Sequence, residues 1–319
     1  MVGERPPGRR PIPRRAPRVT GSAALWRVAL AAALALTACN QGGTEPGKPL
    51  VVTSFYPVFE FTRRVAGSAA QVVSLVPPGV EPHDWEPSPR DVTALRQARL
   101  FVYNGAGFEP WAPKLLQEGA SPSLLVVRAS ESIPLLSTAA GGDALPDPHV
   151  WLDPRLARKM VDTILAGLVK VDPAHTALFT ANAAALDDQL ERLDRALADG
   201  LRNCARREII TSHSAFAYLA ARYRLEVVPV MSLAPESEPT PARLASVIRF
   251  ARERKVKYIF LETLVNPRLA DTLARETGAQ TLVLNPIEGV TAEQEAAGQG
   301  YFALMEQNLD NLRRALDCQ

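Results

Sequence analysis

The sequence predicts an α/β protein of two lobes, each a parallel sheet flanked by helices, joined by one long rigid helix. Three observations predict it. Short β-branched runs alternate with amphipathic stretches over residues 50–128 and again over 208–316, the rhythm of strands joined by crossover helices. Some strand-like runs, Leu124-Leu125-Val126-Val127 among them, are apolar at consecutive positions, as strands covered on both faces are. Between the two sets, residues 173–203 run without Pro after Pro173 and without Gly until Gly200. As helix this is about 45 Å at 1.5 Å per residue, far longer than most globular helices.

In chain order, residues 50–54 read as a strand, 58–67 as a helix, 71–76 as a strand and 89–96 as a short helix. A strand over 100–103, a helix over 110–118 and a strand over 124–128 complete the first set. Gly141-Gly142 and Pro146 mark a loop. Two helices follow, over 154–171 and from Asp172-Pro173 onward, where Asp serves as N-cap and Pro as the first helical residue. The second set has strands at 208–211, 225–231, 256–261 and 281–284. Its helices fall at 215–223, 241–254, 266–277 and 297–316. The boundaries are a lobe over 49–172, a linking helix over 173–203 and a lobe over 204–319. Ligands of open α/β sheets sit beyond the carboxyl ends of the strands, so the cleft between the lobes is the expected site.

The first 38 residues read as an export signal. They are Arg- and Pro-rich, then apolar from Val28 to Leu36, the length of a signal core and too short to span a bilayer. Leu36-Thr37-Ala38-Cys39 resembles a lipobox, which makes Cys39 the lipidated N-terminus, with residues 39–48 as a tether. The Arg9-Arg10 and Arg14-Arg15 pairs stand far from the apolar run, which argues against twin-arginine export. These 38 residues carry seven Arg and one Glu, so the remainder has a net charge of −4 against +2 for the whole chain. An acidic remainder gives nucleic acid no electrostatic support as a partner. With Cys39 lipidated, Cys204 and Cys318 remain, an even count in an oxidising compartment. They form either a disulfide or two buried thiols.

Three of the four His stand at strand ends or in Pro-braced loops. His83 lies in Pro77-Pro78-Gly79-Val80-Glu81-Pro82-His83-Asp84-Trp85, and His149 in Asp147-Pro148-His149-Val150-Trp151-Leu152-Asp153-Pro154. His213 follows Ile209-Ile210-Thr211-Ser212. Two come from the first lobe and one from the second, so the cleft would bring them together as metal ligands. Asp84, Asp147 and Asp153 are available to accept from the second ring nitrogens. A fourth ligand is expected for a tetrahedral site. Glu288, in Asn285-Pro286-Ile287-Glu288-Gly289, and Glu262, after Ile259-Phe260-Leu261, are both placed for it. His175 reads as solvated, and Glu236–Glu238 as a solvated rim.

With these motifs in view, the chain resembles the substrate-binding lipoproteins of zinc/manganese ABC importers, in the high-affinity zinc-uptake branch. The resemblance rests on Ser54-Phe55-Tyr56-Pro57, Pro77-Pro78-Gly79 through Pro89, 147–154, 211–217, Leu261-Glu262-Thr263 through Leu269-Ala270, and 285–289. It implies two (βα)4 lobes with the metal between them. It places the three zinc-binding histidines on His83, His149 and His213, and the acidic ligand on Glu288. It implies Zn2+ as cargo rather than Mn2+, delivery to an ABC permease driven by a cytoplasmic ATPase, and a monomer held at the extracytoplasmic membrane face. One departure is that the stretch before His149, Ser137-Thr138-Ala139-Ala140-Gly141-Gly142-Asp143, has no His where many zinc-branch members carry a His- and acid-rich loop. Another contrast is with the manganese branch, which resembles a two-His, two-carboxylate site. Imidazole suits zinc and carboxylate suits manganese.

A secreted zinc hydrolase is the rival class. It needs an open coordination position and a base, and the chain has no His-Glu-x-x-His pair. Surface adhesion is a third class, for which the sequence offers no motif.

Overall fold

The computed structural model describes residues 2–3, 47–138, 145–233 and 239–319. The export signal, Cys39, most of the tether and the acidic Glu236–Glu238 segment lie outside the described residues. Among the described residues no helix is long and apolar enough to cross a membrane.

The first lobe is built on β1 (Leu50–Thr53), β2 (Gln71–Ser74), β3 (Leu100–Tyr103) and β4 (Leu125–Arg128), in the order β2-β1-β3-β4 and parallel throughout. The second is built on β7 (Glu208–Thr211), β8 (Glu226–Pro229), β9 (Tyr258–Leu261) and β10 (Gln280–Val283), in the order β10-β9-β7-β8, also parallel. Counted from each lobe's first strand, the two orders are the same. A two-stranded hairpin that the sequence did not signal, β5 (Ser137–Thr138) with β6 (Leu145–Pro146), stands between the lobes in sequence.

Strand alternation sorts the side chains into layers. In the first lobe Val51, Leu100 and Val102 face one cluster while Leu50, Val52 and Phe101 face another. In the second, Ile209 and Phe260 point one way, Ile210 and Ile259 the other. Period-two burial on both faces is what a parallel strand between two helical layers requires. The outer layer of the first sheet is α2 (Pro89–Gln97) and α3 (Ala112–Gly119), and that of the second is α7 (Pro241–Glu253) and α8 (Arg268–Thr277). The inner cluster is shared by both lobes. It takes in α1 (Tyr56–Ala66), α4 (Pro154–Val171), α5 (Thr176–Gly200), α6 (Ala217–Tyr223) and α10 (Tyr301–Ala315).

The spine of that cluster is α5. Its buried side chains, Phe179, Ala183, Leu186, Leu190, Leu193 and Leu197, recur at three- and four-residue steps, one stripe of a helix. Near its start Asn182 donates to the Val65 carbonyl of α1, and at its end Gly200 lies against Leu309 of α10. It therefore packs on both lobes. The linking helix is shorter than the sequence suggested. Pro173–His175 forms a separate 3-10 turn, and the α-helix covers 25 residues, about 37 Å at 1.5 Å per residue. Asp172 does not cap the turn with its side chain; its carboxylate takes His175 Nδ1 at 2.7 Å instead.

The predicted closing helix over 297–316 starts later than expected, at Tyr301, and a separate short helix precedes the predicted range. A short α9 (Ala292–Ala296) ends before Gly298, which is left-handed at φ 65°, and α10 starts after Gly300. Cys204 and Cys318 are joined as a disulfide. It ties the end of α10 to the segment entering β7, at the pole of the second lobe away from its strands' carboxyl ends.

Candidate metal centre

His83 and His213 lie in segments that follow β2 and β7 at their carboxyl ends, and His149 lies in the loop after the small β5–β6 sheet, so loops of the two lobes bring the candidate ligands together. His83 lies in the loop after β2. That loop is braced by Pro77, Pro78 and Pro82 and is tied across the cleft by Gly79 N–H, which donates to the Val290 carbonyl. The His83 ring packs on Phe108 with centroids 4.6 Å apart. Phe108 sits in a turn organised by the buried Glu109, whose carboxylate accepts from Ser54 Oγ and from the amides of Asn104 and Gly105. Burial pushes the Glu109 carboxyl up to about 7 against the pull of those three donors.

His149 precedes the 3-10 turn Val150–Leu152, which leads into α4. Asp147 Oδ1 accepts from both the His149 amide at 2.9 Å and its Nδ1 at 2.8 Å. Asp153 has a different task from the one its position suggested: it caps α4 by accepting from the Arg155 amide. Asp84 is exposed and holds no hydrogen bond to His83. His213 follows β7, its carbonyl accepting from Thr211 Oγ1. Its Nδ1 lies 2.8 Å from both oxygens of Glu262. Glu262 thus stands behind the ring of His213, on the side away from the cluster.

Glu288 sits on a strained turn after β10. Ile287 is fully buried with φ 59°, a conformation that costs a β-branched residue on the order of 1–3 kcal/mol. Asn285 holds the turn, its side chain accepting from the Ile287 amide while its own backbone exchanges two hydrogen bonds with Asn308.

These elements bring His83, His149, His213 and Glu288 together, with one ligand atom from each within 4.8 Å of all the others. The Nε2 atoms of His83, His149 and His213 lie 3.4, 3.0 and 3.3 Å from Glu288 Oε1. A tetrahedron with metal–nitrogen bonds of about 2.0–2.1 Å has edges of about 3.3 Å, so these are coordination-edge distances. The chemistry of the donors agrees. A carboxylate only accepts, so Asp147 and Glu262 hold a proton of His149 and His213 on Nδ1 and leave Nε2 as the atom that takes either a second proton or a metal ion. Both Nε2 atoms are buried and, although near Glu288, have no partner in hydrogen-bonding geometry. Buried acceptors aimed at a common point off the hydrogen-bond direction fit a cation.

Electrostatics point the same way. Burial alone would lower the His213 pKa, but Glu262 and Glu288 outweigh it and hold it well above the ordinary value. Burial likewise opposes a raised pKa at His149 and loses to Asp147 and Glu288. Glu288 is held well below the usual carboxylate range because His213 and His83 overcome its burial. The pocket therefore compensates its carboxylate with positive charge, which a divalent ion can supply in place of protons. Glu81 lies beside it: burial and the Glu288 charge push its carboxyl up to about 8, and its Oε2 is buried without a partner. Sequence reasoning did not single out Glu81, Phe108 or Glu109. The run Asn104-Gly105-Ala106-Gly107-Phe108-Glu109 after β3, at a carboxyl end like the others, was the available signal for the last two.

Comparison with known proteins agrees with this geometry. The family described as zinc-uptake complex component A, periplasmic, matches residues 51–315. The high-affinity zinc uptake system protein ZnuA of Bacillus subtilis is 38% identical over 300 residues, 89% of this chain and 94% of that one. The zinc-binding lipoprotein AdcA of Streptococcus pneumoniae is 38% identical over 299 residues, and this chain spans 59% of its length. The crystal structure of the Zn(II)-bound ZnuA-like domain of that AdcA superposes with a TM-score of 0.75 at 40% identity, covering 85% of this chain and 100% of that domain.

Proposed function

This chain belongs to the family of the periplasmic zinc-uptake complex component A, and from that premise we propose that it captures one zinc ion outside the cytoplasm and delivers it to an ABC permease driven by a cytoplasmic ATPase. The observation that carries the reading is a buried set of four donors, one ligand atom from each within 4.8 Å of all the others, in which three imidazole Nε2 atoms stand 3.0–3.4 Å from one carboxylate oxygen. Three imidazoles with one carboxylate favour zinc over manganese. Four protein ligands leave no position for an activated water, so the site holds an ion and does not hydrolyse a substrate.

Residues 1–38 direct export, Cys39 carries the lipid anchor, and residues 40–48 give the monomer reach from the membrane. The 49–172 lobe supplies His83 and His149. The 204–319 lobe supplies His213 and Glu288. The 173–203 linker holds the two in register, so release comes from local displacement of ligands and not from a wide hinge.

The test is metal content by elemental mass spectrometry. The chain from Asn40 onward is stripped and then offered equimolar zinc and manganese. One zinc per chain, lost in His213→Ala, is the expected result. Retained manganese would move the chain to the other branch, and absence of bound metal would overturn the reading.

A further inference from the structure

The loop that carries His149 and the segment that carries His213 belong to different lobes, yet a single side chain joins them without touching the metal cluster. Tyr218 lies at the start of α6, five residues after His213. It is 4% exposed, and its hydroxyl donates to the Asp147 carbonyl at 2.7 Å. The same oxygen accepts from the Leu136 amide at 2.8 Å. Asp147 is also the residue whose carboxylate holds Nδ1 of His149. The chain of contacts therefore runs from His213 along the backbone to Tyr218, across the cleft to Asp147, and through its carboxylate to His149.

The far end of α6 is fixed as well. Arg222 makes two hydrogen bonds to the Asp194 carboxylate of α5, and Tyr223 donates to it at 2.9 Å. Arg155 of α4, in the helix that follows the His149 loop, reaches the same carboxylate at 3.1 Å. So α6 is a strut clamped at both ends, and Tyr218 is the end that touches the ligand loop. Burial raises the Tyr218 hydroxyl to about 12, so it remains a donor at neutral pH.

We propose that Tyr218 is a positioning residue that fixes the separation and aim of His149 and His213 before metal arrives, and thereby sets how long the ion is held. This rests on the metal-capture reading above. Removing a hydroxyl that donates to the Asp147 carbonyl in a buried hydrogen bond and accepts from the part-buried Leu136 amide leaves the carbonyl without that donor and the amide without that acceptor. That strain falls on the residue orienting a ligand ring, where loss of an outer partner typically costs about 10–100-fold in metal affinity.

Tyr218→Phe keeps the ring and deletes the hydroxyl. Zinc dissociation into excess chelator is expected to quicken about ten-fold, and the cobalt-substituted protein should show a weakened or shifted tetrahedral absorption band. Val161→Ala, a buried truncation within α4, lowers Tm without changing either metal readout. A faster off-rate with an altered cobalt band in Tyr218→Phe alone supports the proposal. An unchanged off-rate and band, or equal changes in both variants, overturn it. If the parent chain binds no zinc at all, the underlying reading fails instead.

Amide hydrogen exchange on the unsubstituted chain provides a check that does not depend on the variant folding. With the pin in place, residues 145–152 and 213–223 keep the same protection with and without zinc. Loss of protection in both on zinc removal would mean that the metal, and not Tyr218, holds them together.

Discussion

His149 and His213 each stand with a carboxylate behind the ring, Asp147 and Glu262 at 2.8 Å. His83 has an aromatic face behind it, Phe108 at 4.6 Å between centroids. The first two side chains are fully buried, while that of His83 is 9% exposed. All three reach the same oxygen of Glu288, but by different means. At the wall of the site, directional hydrogen bonds fix both the tautomer and the angle of the ring. At the rim, a proline-braced loop and van der Waals contact place the ring without specifying its proton. A ligand held by hydrogen bonds is costly to turn, whereas one held by packing can move with its loop.

The largest effects should come from deleting wall ligands. Structural zinc sites are worth about 10–16 kcal/mol over four ligands. His149→Ala or His213→Ala should therefore weaken zinc binding by on the order of 10²–10³-fold, measured by chelator competition. His83→Ala should cost about ten-fold less, because water can enter at the rim and take the open coordination position. Equal losses for His83 and His213 would show that wall and rim hold the ion equally.

Outer carboxylates sharpen the contrast. Glu262→Gln keeps the shape behind His213 but removes its charge, and should weaken zinc about 10–100-fold, with Asp147→Asn behaving alike. The same carboxylates set the pH response. In the metal-free chain the His213 pKa is raised well above 6.5, burial opposing and Glu262 with Glu288 prevailing. A raised basic pKa contributes stability that is full below the unfolded value and is lost as pH rises through the folded one. The depressed Glu288 contributes above the unfolded carboxylate value and is lost only as pH falls through its lowered one. The metal-free Tm should accordingly decline as pH is raised from about 6.5, the unfolded His value, while zinc affinity climbs as the displaced proton becomes easier to remove. Tm scans with and without zinc at each pH test this. Glu262→Gln should flatten the metal-free trend.

The two regions were not equally legible in the sequence. His83 and His213 stood out from strand ends and His149 from its Pro-braced motif, while position alone left Glu288 and Glu262 both open and the family resemblance favoured Glu288; the structure brings the three histidines and Glu288 together. The lobe pattern was legible from the central strands β1 and β3, which are buried on both faces, but the apolar run over 124–127 misled: it belongs to the edge strand β4, where Val126 is 38% exposed because no neighbouring layer covers that face. The partners behind the ligands were not. Glu262 was placed as a competing ligand, since strand-end position alone does not say on which side of an imidazole a carboxylate lies. Phe108 and Glu109 belong to a carboxyl-end turn that the run over 104–109 does mark, but the contact of Phe108 with His83 crosses from β3 to the loop after β2 and has no local signature. The division of the linking helix after His175 and the late start of the closing helix, beyond Gly298 and Gly300, show the same limit. Glycine and the Asp172–His175 contact act on backbone geometry that apolar periodicity does not report.

The smallest expected effect is the most informative about the rim. Asp84 follows His83 directly and was a candidate to accept from its second nitrogen, yet it is exposed and makes no hydrogen bond to that ring. A solvated carboxylate at this distance is screened and contributes little. Asp84→Asn should therefore change zinc affinity by less than about two-fold, the scale of a weak surface interaction. A loss as large as that from Glu262→Gln would mean that the loop closes further on the ion and brings Asp84 behind the ring. The difference between wall and rim would then belong to the metal-free protein alone, with metal binding completing at His83 the carboxylate support that His149 and His213 already have.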